Sequence, residues 1–318
     1  MDAYAKEKEN WLVTDSITVM HRADVPRNAV VLSSHVVYRY KPNGALKARI
    51  VPHGNMDPMK DVLRSDAPCM RPDMFRLVCS VAVENGWAIC EMDIKSAFLQ
   101  ADGFKRDIYI RPPSEENDRV NIWHLKRAAY GLAESGRLWW LTSDEAFKQF
   151  GATQSNVDLA LYFIMEKEML VFMAVAQVDN YIYTGTKEML EKFERHMESR
   201  FAVGECVRKK FRVYGCEVIQ YQDKIVISQK KRLAALSGYS LHPVRASMGM
   251  DEAIESEQTG YRSIVGSLSF IGCMTSPIIA RIACQLATRS RCLQVRDLKA
   301  LNSAVKYCKS LSGEIVLR

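Results

Sequence analysis

The chain has 318 residues, 48% of them hydrophobic and 25% charged, with a formal net charge of +7. That length allows a substantial core and several subdomains, and the composition is that of an ordinary globular protein. The longest apolar run, residues 169–176, is too short to span a bilayer, so no membrane partner is expected.

The charged start, Met1-Asp2-Ala3-Tyr4-Ala5-Lys6-Glu7, carries no apolar signal region, and an intracellular location, cytoplasmic or nuclear, is the expectation. Nine cysteines without a Cys-x-x-Cys pair argue for reduced thiols and against a disulfide framework or a zinc module. The six histidines are dispersed and suggest no metal site. The densest basic groups are Arg208-Lys209-Lys210-Phe211-Arg212, Lys230-Lys231-Arg232 and Arg289-Ser290-Arg291. They suit a phosphate backbone, although charge alone more often marks a solvated face.

In chain order, the segment before residue 35 has weak periodicity and is expected to wrap loosely over the rest. An apolar-aromatic strand at 35–40 runs into Lys41-Pro42-Asn43-Gly44, a turn signal, and returns over 45–52 as a β-hairpin. Lys47 and Arg49, two apart on the return strand, project from one face. Phe75, Val78 and Ala82 predict a helix over 74–85 that stops at Gly86. A strand then ends near Asp93, and Ile108–Ile110 and Asn121–Leu125 read as further strands.

A helix is expected over 137–150, closed by Gly151. Residues 169–185 read as two strands folded back on each other, with Asp179 at the turn. Leu190, Phe193, Met197 and Phe201 mark one face of a helix over 187–201. Short strands follow at 210–219 and 224–228, then helices at 261–274, 277–288 and Val295–Lys309. Pro277 sits in a first turn, where its missing N–H does no harm. The outline is a mixed α+β body followed by a small helical domain.

Several motifs together resemble the reverse transcriptase (RNA-directed DNA polymerase) region of copia-type long-terminal-repeat retrotransposons. They begin with Lys47-Ala48-Arg49-Ile50-Val51, Asp93-Ile94-Lys95-Ser96-Ala97-Phe98-Leu99 and Ile108-Tyr109-Ile110-Arg111-Pro112-Pro113. Tyr130-Gly131-Leu132, Arg137 with Trp139, Asp158-Leu159-Ala160-Leu161-Tyr162 and Val178-Asp179 follow. Ser228-Gln229 and Tyr261-Arg262-Ser263-Ile264-Val265-Gly266-Ser267-Leu268 complete the series. The resemblance covers roughly residues 35–310, which no single motif could achieve. It implies a right-hand polymerase: an N-terminal extension at 1–34, interleaved fingers and palm over 35–235, and a helical thumb-like region at 236–318.

Extending a nucleic acid requires a 3′-hydroxyl to attack an α-phosphorus while pyrophosphate leaves, chemistry that a pair of divalent ions supports. Mg²⁺ wants hard oxygen ligands from rigid strands. The resemblance makes Asp93 and Asp179 two of three palm carboxylates, catalytic and holding two Mg²⁺, with primer–template nucleic acid and deoxynucleoside triphosphates as partners. Without it, each Asp would read as a turn residue.

Asn180 stands where the family usually has the third carboxylate, and Gln177 where it has Tyr. An amide is neutral, so weaker ion binding and impaired activity are expected, and a catalytically dead remnant that retains nucleic-acid binding or a partner-binding role is the alternative. Lys47 and Arg49 resemble fingers residues that hold the incoming triphosphate. Phe98 resembles the sugar-selecting aromatic, although a ring after a strand is more often core. Ala133-Glu134 replaces the usual Lys-Gln at the nucleotide site, where the carboxylate of Glu134 would repel a triphosphate. Trp139 and Trp140 could stack on a base, but on a helix they read as core.

Overall fold

A computed structural model describes residues 3–41 and 44–318. The chain forms two compact units, residues 1–74 with 91–206 and residues 75–90 with 207–318.

The first unit opens with helix α1 (Ala3–Val13), then strands β1 (Ile17–His21), β2 (Val31–Leu32), β3 (Ser34–Tyr40) and β4 (Leu46–Pro52). Helix α2 (Pro72–Glu84) lies largely in the second unit. Strands β5 (Cys90–Ile94), β6 (Ile108–Ile110) and β7 (Asn121–Leu125) lead to helix α3 (Ser135–Gln149). After these come β8 (Thr153–Gln154), β9 (Leu161–Glu166), β10 (Met169–Gln177), β11 (Asn180–Gly185), helix α4 (Lys187–Arg200) and β12 (Val203–Arg208).

β3 and β4 form the expected antiparallel hairpin, from Ser34 opposite Pro52 to Tyr40 opposite Leu46. Pro42 and Asn43 of its turn signal lie outside the described residues. The strand order β12-β5-β11-β10-β9-β8 makes the main sheet, and β1-β7-β6-β2 a second one.

Rings from α3 and α4 fill the space against the main sheet. Phe147 stacks on Tyr162 at 4.1 Å between centroids, and Phe193 packs on Phe172 and Tyr183, each at 4.9 Å. Burying each such ring contributes about 1.5–3 kcal/mol. Helix α4 begins at Thr186, whose hydroxyl accepts from the Met189 N–H, and buries Leu190, Phe193 and Met197 as its spacing predicts.

The N-terminal segment differs from expectation, because α1 is anchored. Trp11 is fully buried against Trp123, with ring centroids 6.2 Å apart, and Lys8 pairs with Glu116 at 2.6 Å. Its periodicity looked weak because the inward face is Tyr4, Glu7 and Trp11, with a carboxylate in the middle. Trp139 is core, as read, while half-buried Trp140 lies under the Arg137 guanidinium at 5.5 Å.

The second unit takes most of α2, which buries Phe75, Val78, Cys79 and Ala82. Strands β13 (Lys210–Val213), β14 (Cys216–Gln220) and β15 (Ile225–Ser228) are followed by α5 (Lys230–Ala235), α6 (Pro243–Ser247), α7 (Glu255–Thr275), α8 (Pro277–Ala287) and α9 (Val295–Lys309). Tyr261, Leu268, Ile271, Ile279, Leu298 and Leu301 form the centre of a helical core. A last strand, β16 (Glu314–Leu317), pairs antiparallel with β15 and closes a four-stranded sheet.

Candidate active site

The β10–β11 hairpin turns through Val178 and Asp179, with Gln177 paired to Asn180. Val178 adopts φ +34°, a region that β-branched residues avoid at a cost of about 1–3 kcal/mol. Trp139 steadies the turn by donating its indole N–H to the Val178 carbonyl. The Asp179 carbonyl accepts the Ile94 N–H at 2.8 Å, which ties the turn to the end of β5 where Asp93 sits. Two acids far apart in sequence thereby become neighbours.

Neither carboxylate has a hydrogen bond or ion pair among the described residues. Burial first, and the Asp179 charge second, raise the Asp93 pKa, with Lys47 pulling the other way. Glu91, on the same strand, is pushed up to about 7 by burial and by the charges of Asp93, Glu205 and Asp179. The β12 backbone closes directly on the site, since a Cβ built at Gly204 would lie 2.5 Å from Asp93 Oδ2. Glycine is needed there for close approach.

Asp93 and Asp179 line an open cavity of ≈ 700 Å³ with Lys47, Tyr130, Glu205 and Glu7. Burial and the nearby Arg49 charge lower the Lys47 pKa, while Glu7 and Asp179 favour its charged form. Arg49 lies one layer back, its guanidinium 4.8 Å from the Tyr130 ring centroid and its buried Nε without a partner. Phe98 packs edge-on against the same tyrosine at 5.0 Å. Tyr130 thus joins two of the residues named from the sequence, Arg49 and Phe98.

Asn180 is half-buried and does not line the cavity. Glu134 does not line it either. Its carboxylate is 2.7 Å from Arg106 Nη2, and Arg106 also reaches Asp57. Sequence reasoning passed over Glu7 and Glu205. A carboxylate one turn before a tryptophan, and another beside a strand glycine, were the available signals.

Two hard carboxylates without an ion pair, one on β5 and one in the adjoining hairpin turn, fit a divalent cation that takes its remaining ligands from substrate phosphates and water. Among the described residues, no group of three or more His, Cys, Asp and Glu is gathered to hold an ion without such help.

Residues 18–237 match the family described as Reverse transcriptase (RNA-dependent DNA polymerase). The Retrovirus-related Pol polyprotein from transposon RE1 of Arabidopsis thaliana is 27% identical over 288 residues, covering 85% of this chain and 19% of that polyprotein. Its counterpart from transposon RE2 of the same plant is 27% identical over 252 residues, covering 73% of this chain and 17% of the other. The chain therefore spans under a fifth of the length of these relatives. A solved structure of the foamy viral protease-reverse transcriptase with ds DNA superposes with a TM-score of 0.53 at 12% identity, over 96% of this chain and 48% of that one. At that identity the likeness speaks for the fold, a polymerase palm and fingers. The chain belongs to the reverse transcriptase (RNA-dependent DNA polymerase) family and is a reverse transcriptase domain of the copia type.

Proposed function

We propose that this chain catalyses RNA-directed DNA synthesis for a copia-type retrotransposon, extending a primer on its template from deoxynucleoside triphosphates, with turnover held low by Asn180. The observation that carries the reading is the meeting of Asp93 and Asp179, both unpaired, in one cavity with Lys47. In the reaction a primer 3′-hydroxyl attacks the α-phosphorus and pyrophosphate departs. Asp93 and Asp179 would hold two Mg²⁺, which when bound favour the hydroxyl's ionised form and neutralise the leaving oxygens.

Lys47 meets the triphosphate from β4, and Arg49 adds positive charge from its seat on Tyr130. Phe98, braced on that ring, forms the floor that a 2′-hydroxyl would strike. Support for a nucleic-acid partner comes from the ds DNA in the foamy viral structure.

Asn180, which adjoins Asp179 at the hairpin turn without lining the cavity, supplies a neutral amide where the resemblance expects a third carboxylate. Losing one preorganised charge costs about 10²-fold or more in rate. The same substitution favours the second reading, a domain that binds primer–template without turnover. Primer extension on an RNA template decides between them. Asn180→Asp is expected to raise the rate about 10²-fold, and Asp93→Asn in that background to abolish it. Robust extension by the unaltered chain would refute the proposed impairment. Duplex binding without extension, even after Asn180→Asp, selects the second reading.

A further inference from the structure

Two basic clusters that the sequence keeps apart meet in the second unit. Arg212 on β13 and Lys230, Lys231 and Arg232 on α5 line one cavity of ≈ 440 Å³, together with Gln229. The strand register explains the meeting. Arg212 lies opposite Glu217, Glu217 opposite Ser228, and α5 starts just beyond Ser228.

The cations are unequally occupied. Lys230 is paired with Glu314 at 2.8 Å, and Lys231 reaches Glu217 only at 3.9 Å. Arg212 has neither a hydrogen bond nor an ion pair among the described residues. Arg232 lies over the Phe270 ring at 4.5 Å, against the bare face of Gly215, where a Cβ would stand 3.1 Å from its Nη1. Phe270 and Gly215 leave the guanidinium's donors unclaimed. Four cations thus face two carboxylates around the cavity.

Gln229 supplies an independent observation. It is 1% exposed, its Oε1 accepts from Thr275 Oγ1 at 3.2 Å, and its Nε2 has no partner. A buried N–H donor without an acceptor is destabilising, and folds keep few of them. An anion entering beside Arg212 and Arg232 would satisfy it.

We propose that this cavity is a phosphate-binding site formed by Arg212, Arg232, Lys231 and the Gln229 amide. Its ligand is a phosphate group, either a phosphodiester of a bound nucleic-acid strand or free inorganic pyrophosphate. Guanidinium forks suit phosphate oxygens, and a neutral N–H donor adds direction without further charge.

The test uses the full chain without metal. Calorimetry measures pyrophosphate binding, and an RNA–DNA primer–template duplex is titrated at several salt concentrations. The groove variant is Arg212→Ala with Arg232→Ala. A control, Arg281→Ala with Lys299→Ala, removes equal charge from exposed positions of the same unit.

If free pyrophosphate is the ligand, its affinity falls about tenfold in the groove variant alone. If a phosphodiester is the ligand, the salt slope of duplex binding falls by about 1.8, two contacts at roughly 0.9 each. Unchanged binding of both ligands overturns the proposal, as does an equal fall in the control. Should the alanine pair lower the unfolding midpoint, Arg212→Lys with Arg232→Lys keeps the charge and removes the fork. That variant must still weaken the responding ligand at least threefold, and no change also overturns the proposal. Neither readout involves turnover, so the outcome is independent of the polymerase reading.

Discussion

Replacing Gly204 by alanine isolates the position of Asp93 from everything else in the site. The new Cβ would lie 2.5 Å from Asp93 Oδ2, whereas ordinary contact begins at 3.4 Å. The carboxylate oxygen must therefore move by the difference, about 0.9 Å. It is the far end of a flexible side chain, so rotation is cheap for the fold, and the Asp93 carbonyl oxygen, 3.1 Å from the same Cβ, has to yield by only a few tenths of an ångström. Overpacking at the low end, about 1 kcal/mol, is offset by the roughly 0.4–1 kcal/mol that Gly→Ala gains through the unfolded chain. Catalysis has no such offset, because a misplacement of about 1 Å costs about 10²-fold, or ~2.7 kcal/mol in the barrier.

The measurement is single-turnover primer extension in the Asn180→Asp background, with thermal unfolding alongside. The expected result is an unfolding midpoint within a few degrees of the parent and an extension rate about 10²-fold lower. An unchanged rate would refute the argument that the place of Asp93 matters. A large loss of stability would show instead that β12 moves and not the carboxylate.

The other predictions concern stability and the Glu134–Arg106 pair. Arg245 binds Glu257 through Nε at 3.0 Å and Nη2 at 2.8 Å, holding its carboxyl below the ordinary 4.5. The stability this pair contributes is fully present above the unfolded value and is lost as pH falls through the depressed folded one. Glu257→Gln should therefore be less stable than the parent at neutral pH, and urea unfolding should show the gap closing in acid; a gap independent of pH would contradict the assignment. Trp11→Ala should cost about 3–5 kcal/mol, which thermal denaturation would read as a midpoint about 10 °C lower. Glu134→Gln breaks the pair with Arg106 and should lower stability by about 1 kcal/mol while leaving the KM for nucleotide unchanged. A lower KM would instead return Glu134 to the nucleotide site.

Local order was legible in the residues because its signals are local. The strands around Val178-Asp179, the apolar face of α4 and the proline opening α8 are set by period, turn chemistry and a missing N–H. Spacing could also place Asp93 and Asp179 each at a strand end. It could not show that α1 docks through Trp11, because one large ring outweighs a weak periodicity only when Trp123 is there to meet it. Nor could it show β16, whose four residues become a strand by pairing with β15. Glu134 had the composition of a repelling charge, and Arg106, from a different segment, took it up. Residue types and their periods determined which segments would be helix, strand or turn. Packing between segments distant in the chain decided which charges would be neutralised and which, like Asp93 and Asp179, would be left open, because desolvation and pairing depend on neighbours that only the folded chain supplies.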